Sequence, residues 1–144
     1  MSKESWTWQF ERLIANDMEI GRHVLNELLA ELRANDWSPR DVFGVHLAME
    51  EALVNAITHG NRNDDSKHVD IRCRLSPHTV HIEIRDEGPG FDPATLPDPT
   101  DPKRLNAPGG RGVMLMREFM TSVEFLNSGS AVIMEKRRPR VPSR

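Results

Sequence analysis

One cysteine in 144 residues leaves no partner for an internal disulfide. Cys73 falls on the apolar side of an alternating segment, where a small buried hydrophobe is expected rather than a reactive thiol. So little thiol fits a reducing compartment. No apolar run reaches the length of a membrane span, and the N-terminus lacks the cationic-then-apolar order of a secretion signal, so a cytoplasmic protein is expected. Positive charge is not in excess. The 19 Lys and Arg against 22 Asp and Glu give a net charge of −3, which argues against nucleic acid as a direct partner, because phosphate neutralisation drives that affinity. The one basic run, Lys136-Arg137-Arg138-Pro139-Arg140, is broken by proline and reads as a solvated terminus, with 137–144 expected to be disordered. Also missing are a Gly-x4-Gly-Lys-Ser/Thr phosphate loop, a Gly-x-Gly-x-x-Gly turn after a strand, and a His-Arg-Asp kinase loop. Six histidines offer only His78 and His81 as a close pair, and one cysteine cannot complete a structural zinc site.

What is present suits a single globular domain over 1–144: 38% hydrophobic residues and enough length for one core but not for two. Residues 5–10 alternate and predict a short first strand. Ile20, Val24, Leu25, Leu28, Leu29 and Leu32 recur at helical spacing over 18–35. Ser38-Pro39-Arg40-Asp41 starts a second helix, with a capping serine, proline at the first helical position and an acid at the positive end. Its buried stripe is Val42, Val45, Met49, Ala52, Leu53 and Ala56. It is expected to stop at Gly60-Asn61, residues that accept a left-handed conformation. Val69 to Leu75 and Val80 to Ile84 then alternate apolar with charged residues, predicting a hairpin with one oily and one wet face. The stretch 91–110 holds five prolines and no sustained period, the signature of a lid or binding loop. A third helix is expected over Val113–Thr121, with Leu115, Met116, Phe119 and Met120 inward. Val123–Leu126 and Ser130–Lys136 close the chain as a hairpin around Asn127-Ser128-Gly129. The order predicts an α/β (α+β) two-layer sandwich whose mixed, mostly antiparallel sheet is covered on one face by three helices.

Three segments carry chemistry. Glu51, Asn55 and His59 are four apart and share one stripe of the second helix. Magnesium prefers oxygen ligands and keeps several waters, so one amide oxygen from Asn55 plus a triphosphate can hold it. A carboxylate one turn earlier is placed to act as general base near the metal. His59 serves either to orient Glu51 or Asn55, or simply to finish the helix near its negative end. Asp86-Glu87-Gly88-Pro89-Gly90 is good turn chemistry anywhere. Beside the first set, Asp86 reads as an acceptor for the adenine amino group, with Gly88 and Gly90 letting backbone approach a flat ligand. Guanine presents an acceptor at that position, so such a site takes ATP and refuses GTP. Gly109-Gly110-Arg111-Gly112 directly before a helix supplies unpaired amides for an anion, and Arg111 adds a charged fork. Ser130 is either a turn residue or a hydroxyl partner of the Asp86–adenine region.

In this order the segments resemble the N, G1 and G2 boxes of the ATPase fold shared by gyrase, histidine kinases, MutL and their relatives. Glu51 to Asn61, Asp86 to Pro93 and Gly110 to Met120 look like the boxes of its anti-sigma-factor serine kinase branch. The resemblance implies a histidine-kinase-like ATPase fold and makes Glu51 the catalytic base, Asn55 the Mg2+ ligand and Asp86 the adenine partner. It makes 91–112 the ATP lid, adds Gly110, Arg111, Gly112 and Val113 to the ATP contacts, and sets Ser130 where the superfamily often has threonine. It further implies a homodimer that binds a sigma factor and phosphorylates a serine of a small anti-anti-sigma (STAS-type) partner. Some members carry arginine where Pro108 stands here, which leaves Arg111 for the γ-phosphate. An ATP-gated adaptor without transfer is the competing reading.

Overall fold

Alternation between residues 68 and 85 builds the centre of the sheet. In the computed structural model, Val69, Ile71, Cys73, Leu75, Val80, Ile82 and Ile84 are each at most 1% exposed, all on one face. The structure describes residues 5–89, 110–126 and 130–139, without the side chain of Arg111. Gly90, the segment 91–109, the Asn127-Ser128-Gly129 turn and residues 140–144 lie outside the described residues. The elements are β1 (Trp8–Ala15), α1 (Met18–Ala34), α2 (Pro39–Val54), a π-helical turn (Asn55–Gly60), β2 (His68–Leu75), β3 (Thr79–Arg85), α3 (Gly110–Phe119), β4 (Ser122–Leu126) and β5 (Ala131–Arg137). The sheet order is β1-β2-β3-β5-β4.

Every pairing among the described residues is antiparallel, where a mixed sheet was expected. The reason is topological. β3 and β4, joined through α3, run in the same direction, as a strand–helix–strand crossover requires. β5 inserts between them and pairs antiparallel with both, so the two parallel strands never touch.

α2 is built as its sequence predicts. Ser38 Oγ accepts the Asp41 N–H at 3.1 Å, Pro39 opens the helix, and the stripe from Val42 to Ala56 is buried. α1 differs at one position: Ile20, expected inside, is 40% exposed. The buried line runs through Gly21, Val24, Leu25, Leu28 and Leu32. α1 lies so close to Leu53 at Gly21 that an added Cβ would be 3.4 Å from the leucine methyls, which turns Ile20 to the margin. β1 also differs, running to Ala15 rather than ending at 10. It pairs with β2 from Trp8↔Leu75 to Ala15↔His68, but as an edge strand it loses its alternation. Arg12 reaches over to Glu27 of α1 at 2.6 Å, and Leu13 points outward at 72% exposure.

The face away from the helices is polar, as expected. Arg72 bridges Glu11 and Asp70 at 3.1 and 3.2 Å, and His81 sits between Glu83 and Glu135 at 3.0 and 2.7 Å. Cys73 is wholly buried, and burial pushes its thiol pKa far up, so it is an inert core atom. The basic stretch starts inside the fold, contrary to a solvated tail from 137. Arg137 ends β5. Arg138 stacks 4.5 Å over the Trp37 ring and donates to Pro77 and Asn35 carbonyls.

Candidate functional site

α2 delivers Glu51, half-buried, and then changes pitch. The Asn61 N–H donates to Ala56 O at 2.8 Å, five residues back instead of four, which widens the last turn. Such π turns are rare and concentrate at functional sites. His59, expected on the Glu51–Asn55 stripe, lies within this turn. His59 is exposed and absent from the cleft described below. Asn61 does not take the left-handed conformation expected at the helix end, its φ and ψ being −81° and −6°. That conformation falls on Arg62 and Asn63, at φ 53° and 57°. Asn61 is 0% exposed, and its amide is fully used. Nδ2 donates to Asn16 Oδ1 at 3.0 Å and His68 O at 2.9 Å, while Oδ1 accepts the Glu87 N–H at 2.7 Å.

Asp86 follows β3 and extends its ladder by one bond, donating its N–H to Ser130 O at 2.8 Å. Its carboxylate therefore stands where β3 and β5 open. Oδ1 accepts the Gly88 N–H at 2.7 Å. Burial raises the Asp86 pKa from its ordinary value, against the opposing Gly88 N–H and the charge of Lys67. Gly88 is required for space, not for a left-handed φ: a Cβ there would lie 1.9 Å from the Gly60 carbonyl oxygen, and one on Gly60 would lie 2.3 Å from Asp86 Oδ2. Backbone cannot yield as a side-chain tip can. Gly88→Ala is expected to cost about 1–3 kcal/mol of stability, the range for overpacking, read from the denaturant midpoint. Gly112→Ala, whose nearest atom is the mobile carboxylate tip of Glu51, is expected to cost less; equal losses would refute the backbone-clash account.

A partly open cleft runs between α2, α3 and the β3–β5 mouth. Ala52, Ala56, Ile84, Met116 and Val132 make its apolar walls; Asn55, Asp86 and Ser130 are its polar points. Asn55 is buried, yet its amide nitrogen has no hydrogen-bond partner. Leaving such a group unpaired costs about 1–3 kcal/mol. α3 begins at Gly110, so Gly110 and Gly112 form its first turn rather than a loop before Val113 as expected. Unpaired amide donors of a helix start are thereby brought to the cleft. A Cβ on Gly112 would lie 2.8 Å from Glu51 Oε2 and 3.5 Å from Asn55 Nδ2, so the three residues form one cluster. Val113 is 4% exposed and packs into the core, away from the cleft. Glu51, Asn55 and Gly112 thus gather at one end, with Asp86, Gly88 and Ser130 at the other. The arrangement can grip a flat ring between apolar walls by its polar edge while offering amides and an oxygen ligand to an anion with its cation. Sequence reasoning missed Asn61 and Gly60 as parts of this site. Both were read only as helix-stop residues at the end of the Glu51–Asn61 segment, and only their tertiary contacts reveal another use.

Residues 14–136 match the family described as histidine kinase-like ATPase domain. The chain belongs to this family, in the branch of anti-sigma factor kinases. It is 30% identical over 135 residues to the anti-sigma F factor of Anoxybacillus flavithermus, covering 89% of this chain and 88% of the relative. It is 31% identical over 91 residues to the serine/threonine-protein kinase BtrW of Bordetella bronchiseptica, covering 62% of this chain and 64% of that one. Its fold is similar to the RsbU and RsbW domains of Rv1364c from Mycobacterium tuberculosis. That match has a TM-score of 0.62 at 15% identity over 92% of this chain and 34% of that one.

Proposed function

We propose that the protein is a cytoplasmic, ATP-dependent serine kinase and anti-sigma factor of a bacterial partner-switching system. It acts as a homodimer that holds a sigma factor and phosphorylates a serine on an anti-anti-sigma partner. One observation carries the reading: the buried, unpaired amide of Asn55, clustered with Glu51 and the start of α3. Turning that amide by 180° exchanges its oxygen and nitrogen, so it can present Oδ1 to a hard cation. The donor set fits magnesium, which when bound would neutralise charge on the triphosphate. Asp86 would accept the adenine amino group, and the first turn of α3 would meet phosphate oxygens with its amides. In transfer, an oxygen–phosphorus bond forms to the serine hydroxyl while the bond from the γ-phosphorus to its bridging oxygen breaks. ADP leaves with that electron pair, and Glu51 takes the hydroxyl proton.

The test is calorimetry with Mg-ATP and Mg-GTP, followed by labelled-phosphate transfer to a candidate partner domain. Heat with ATP, little with GTP and a labelled partner serine are expected. Equal heat with the two nucleotides would refute the role of Asp86, and ATP-dependent capture of the partner without label would favour a gated adaptor instead.

A further inference from the structure

Three residues outside the recognised catalytic and phosphate positions close a hydrogen-bonded ring beneath Asp86. Asn61 Oδ1 accepts the Glu87 N–H at 2.7 Å. Asn61 Nδ2 donates to His68 O at 2.9 Å. The His68 N–H donates back to the Glu87 carboxylate. Asn61, Glu87 and His68 are the residue capping the π turn, the turn after β3 and the first residue of β2, so three separate segments are tied at one point. Asn16 anchors the ring from the β1–α1 corner. Its amide bonds Asn61 Nδ2 at 3.0 Å and the Ile57 and Asp64 carbonyls at 3.3 and 3.2 Å.

We propose that Asn61 is a positioning residue for base recognition. Through the Glu87 N–H it fixes the height and direction of the neighbouring Asp86 carboxylate and so sets the preference for an adenine edge. The inference rests on the reading of Asp86 given above. Two features make the ring more than a fold-stabilising tie. It grips the residue next to Asp86 rather than the strand behind it. Its other handle is the π turn, whose Gly60 backbone lies against the Asp86 carboxylate, at the distance where a Cβ would collide with both oxygens. The five-residue bond from Asn61 N–H to Ala56 O rotates Asn61 inward, and the ring gives that widened turn a use. Asp86 already spends Oδ1 on Gly88, so a small tilt of the turn would misdirect the remaining oxygen.

The experiment measures the affinities of Mg-ATP and Mg-ITP for the wild-type chain, Asn61→Ala and Glu87→Ala. Inosine carries an oxygen where adenine carries the amino group, so ITP keeps the ring, ribose and phosphates and changes the base edge that faces Asp86. Asn61→Ala is expected to lower the ATP-over-ITP preference about tenfold, the size of one buried hydrogen bond lost, with ITP affinity unchanged. Glu87→Ala removes only the exposed side of the ring and is expected to lower the preference less, in the same direction. Amide hydrogen exchange at Glu87 and Gly88 should accelerate in both. A folded Asn61→Ala chain with wild-type preference would overturn the proposal, as would loss of ATP and ITP affinity in equal proportion. If Asn61→Ala fails to fold, wild-type preference and exchange in Glu87→Ala overturn it. A wild-type chain that binds the two nucleotides equally would refute the Asp86 reading, and the inference with it.

Discussion

Glu51→Ala is expected to lower the rate of phosphoryl transfer by about 10²–10⁴-fold, the usual contribution of a positioned general base, while Mg-ATP affinity stays within about twofold of wild type. The separation follows from the geometry. Glu51 touches the start of α3, its carboxylate 2.8 Å from where a Gly112 Cβ would stand, and does not line the base-binding end of the cleft. Glu51→Gln, which keeps the shape beside Gly112 but cannot take a proton, should be as slow as the alanine variant. Transfer undiminished in either would remove Glu51 from the chemistry. Lost nucleotide affinity in both would instead make it a binding residue. Single-turnover transfer from labelled ATP, paired with calorimetry, distinguishes these results.

Asp86→Asn is expected to weaken ATP binding by up to about a hundredfold, since a hydrogen bond to a charged group contributes about 1.5–3 kcal/mol. It should also raise thermal stability. Burial raises the Asp86 pKa, so the fold prefers its neutral form. That contribution is fully present below the ordinary aspartate range and is lost as pH rises through the raised folded value. Nucleotide binding runs in the opposite direction, because the ionised carboxylate is the better acceptor. ATP affinity should therefore begin to fall, on acidification, at a higher pH than a solvent-exposed aspartate would dictate. An affinity flat across that range, or a variant less stable than wild type, would contradict the burial argument. Together the two outcomes would mark a binding site that holds a charge its own fold disfavours.

The elements that could be read from the sequence are those whose pattern is local. Ser38 caps α2 because the serine oxygen, the proline at the first helical position and Asp41 all act within one turn, and the β2–β3 alternation survives because each strand has one dry and one wet face. Asn55, Asp86 and Ser130, which line the cleft, were singled out with Glu51 because an acid–amide pair on a helix followed by an Asp-x-Gly-x-Gly turn, in that order, resembles a nucleotide site. What was not legible depends on contacts between distant segments. Ile20 is turned out by the close approach of α1 at Gly21. β1 hides its length because Arg12 and Leu13 sit at a sheet edge. The pitch change after Val54 has no local signal, so the exposure of His59 at the end of that turn was not legible from spacing. Asn61 resembled a helix stop, and only its bonds to Asn16, His68 and Glu87 disclose a buried polar junction.

The insertion of β5 between β3 and β4 has a kinetic consequence. Its ladder with β3, from Arg85↔Ala131 to Thr79↔Arg137, joins residues more than forty positions apart. Ordering that much intervening chain must precede any reward from the pairing, whereas the β2–β3 hairpin closes locally. Asp86 stands at the far end of this late ladder, bonded to the Ser130 carbonyl. A nascent chain emerging from the ribosome can thus form its helices and first hairpin before any competent pocket exists, and ligand recognition arrives only with the final strand.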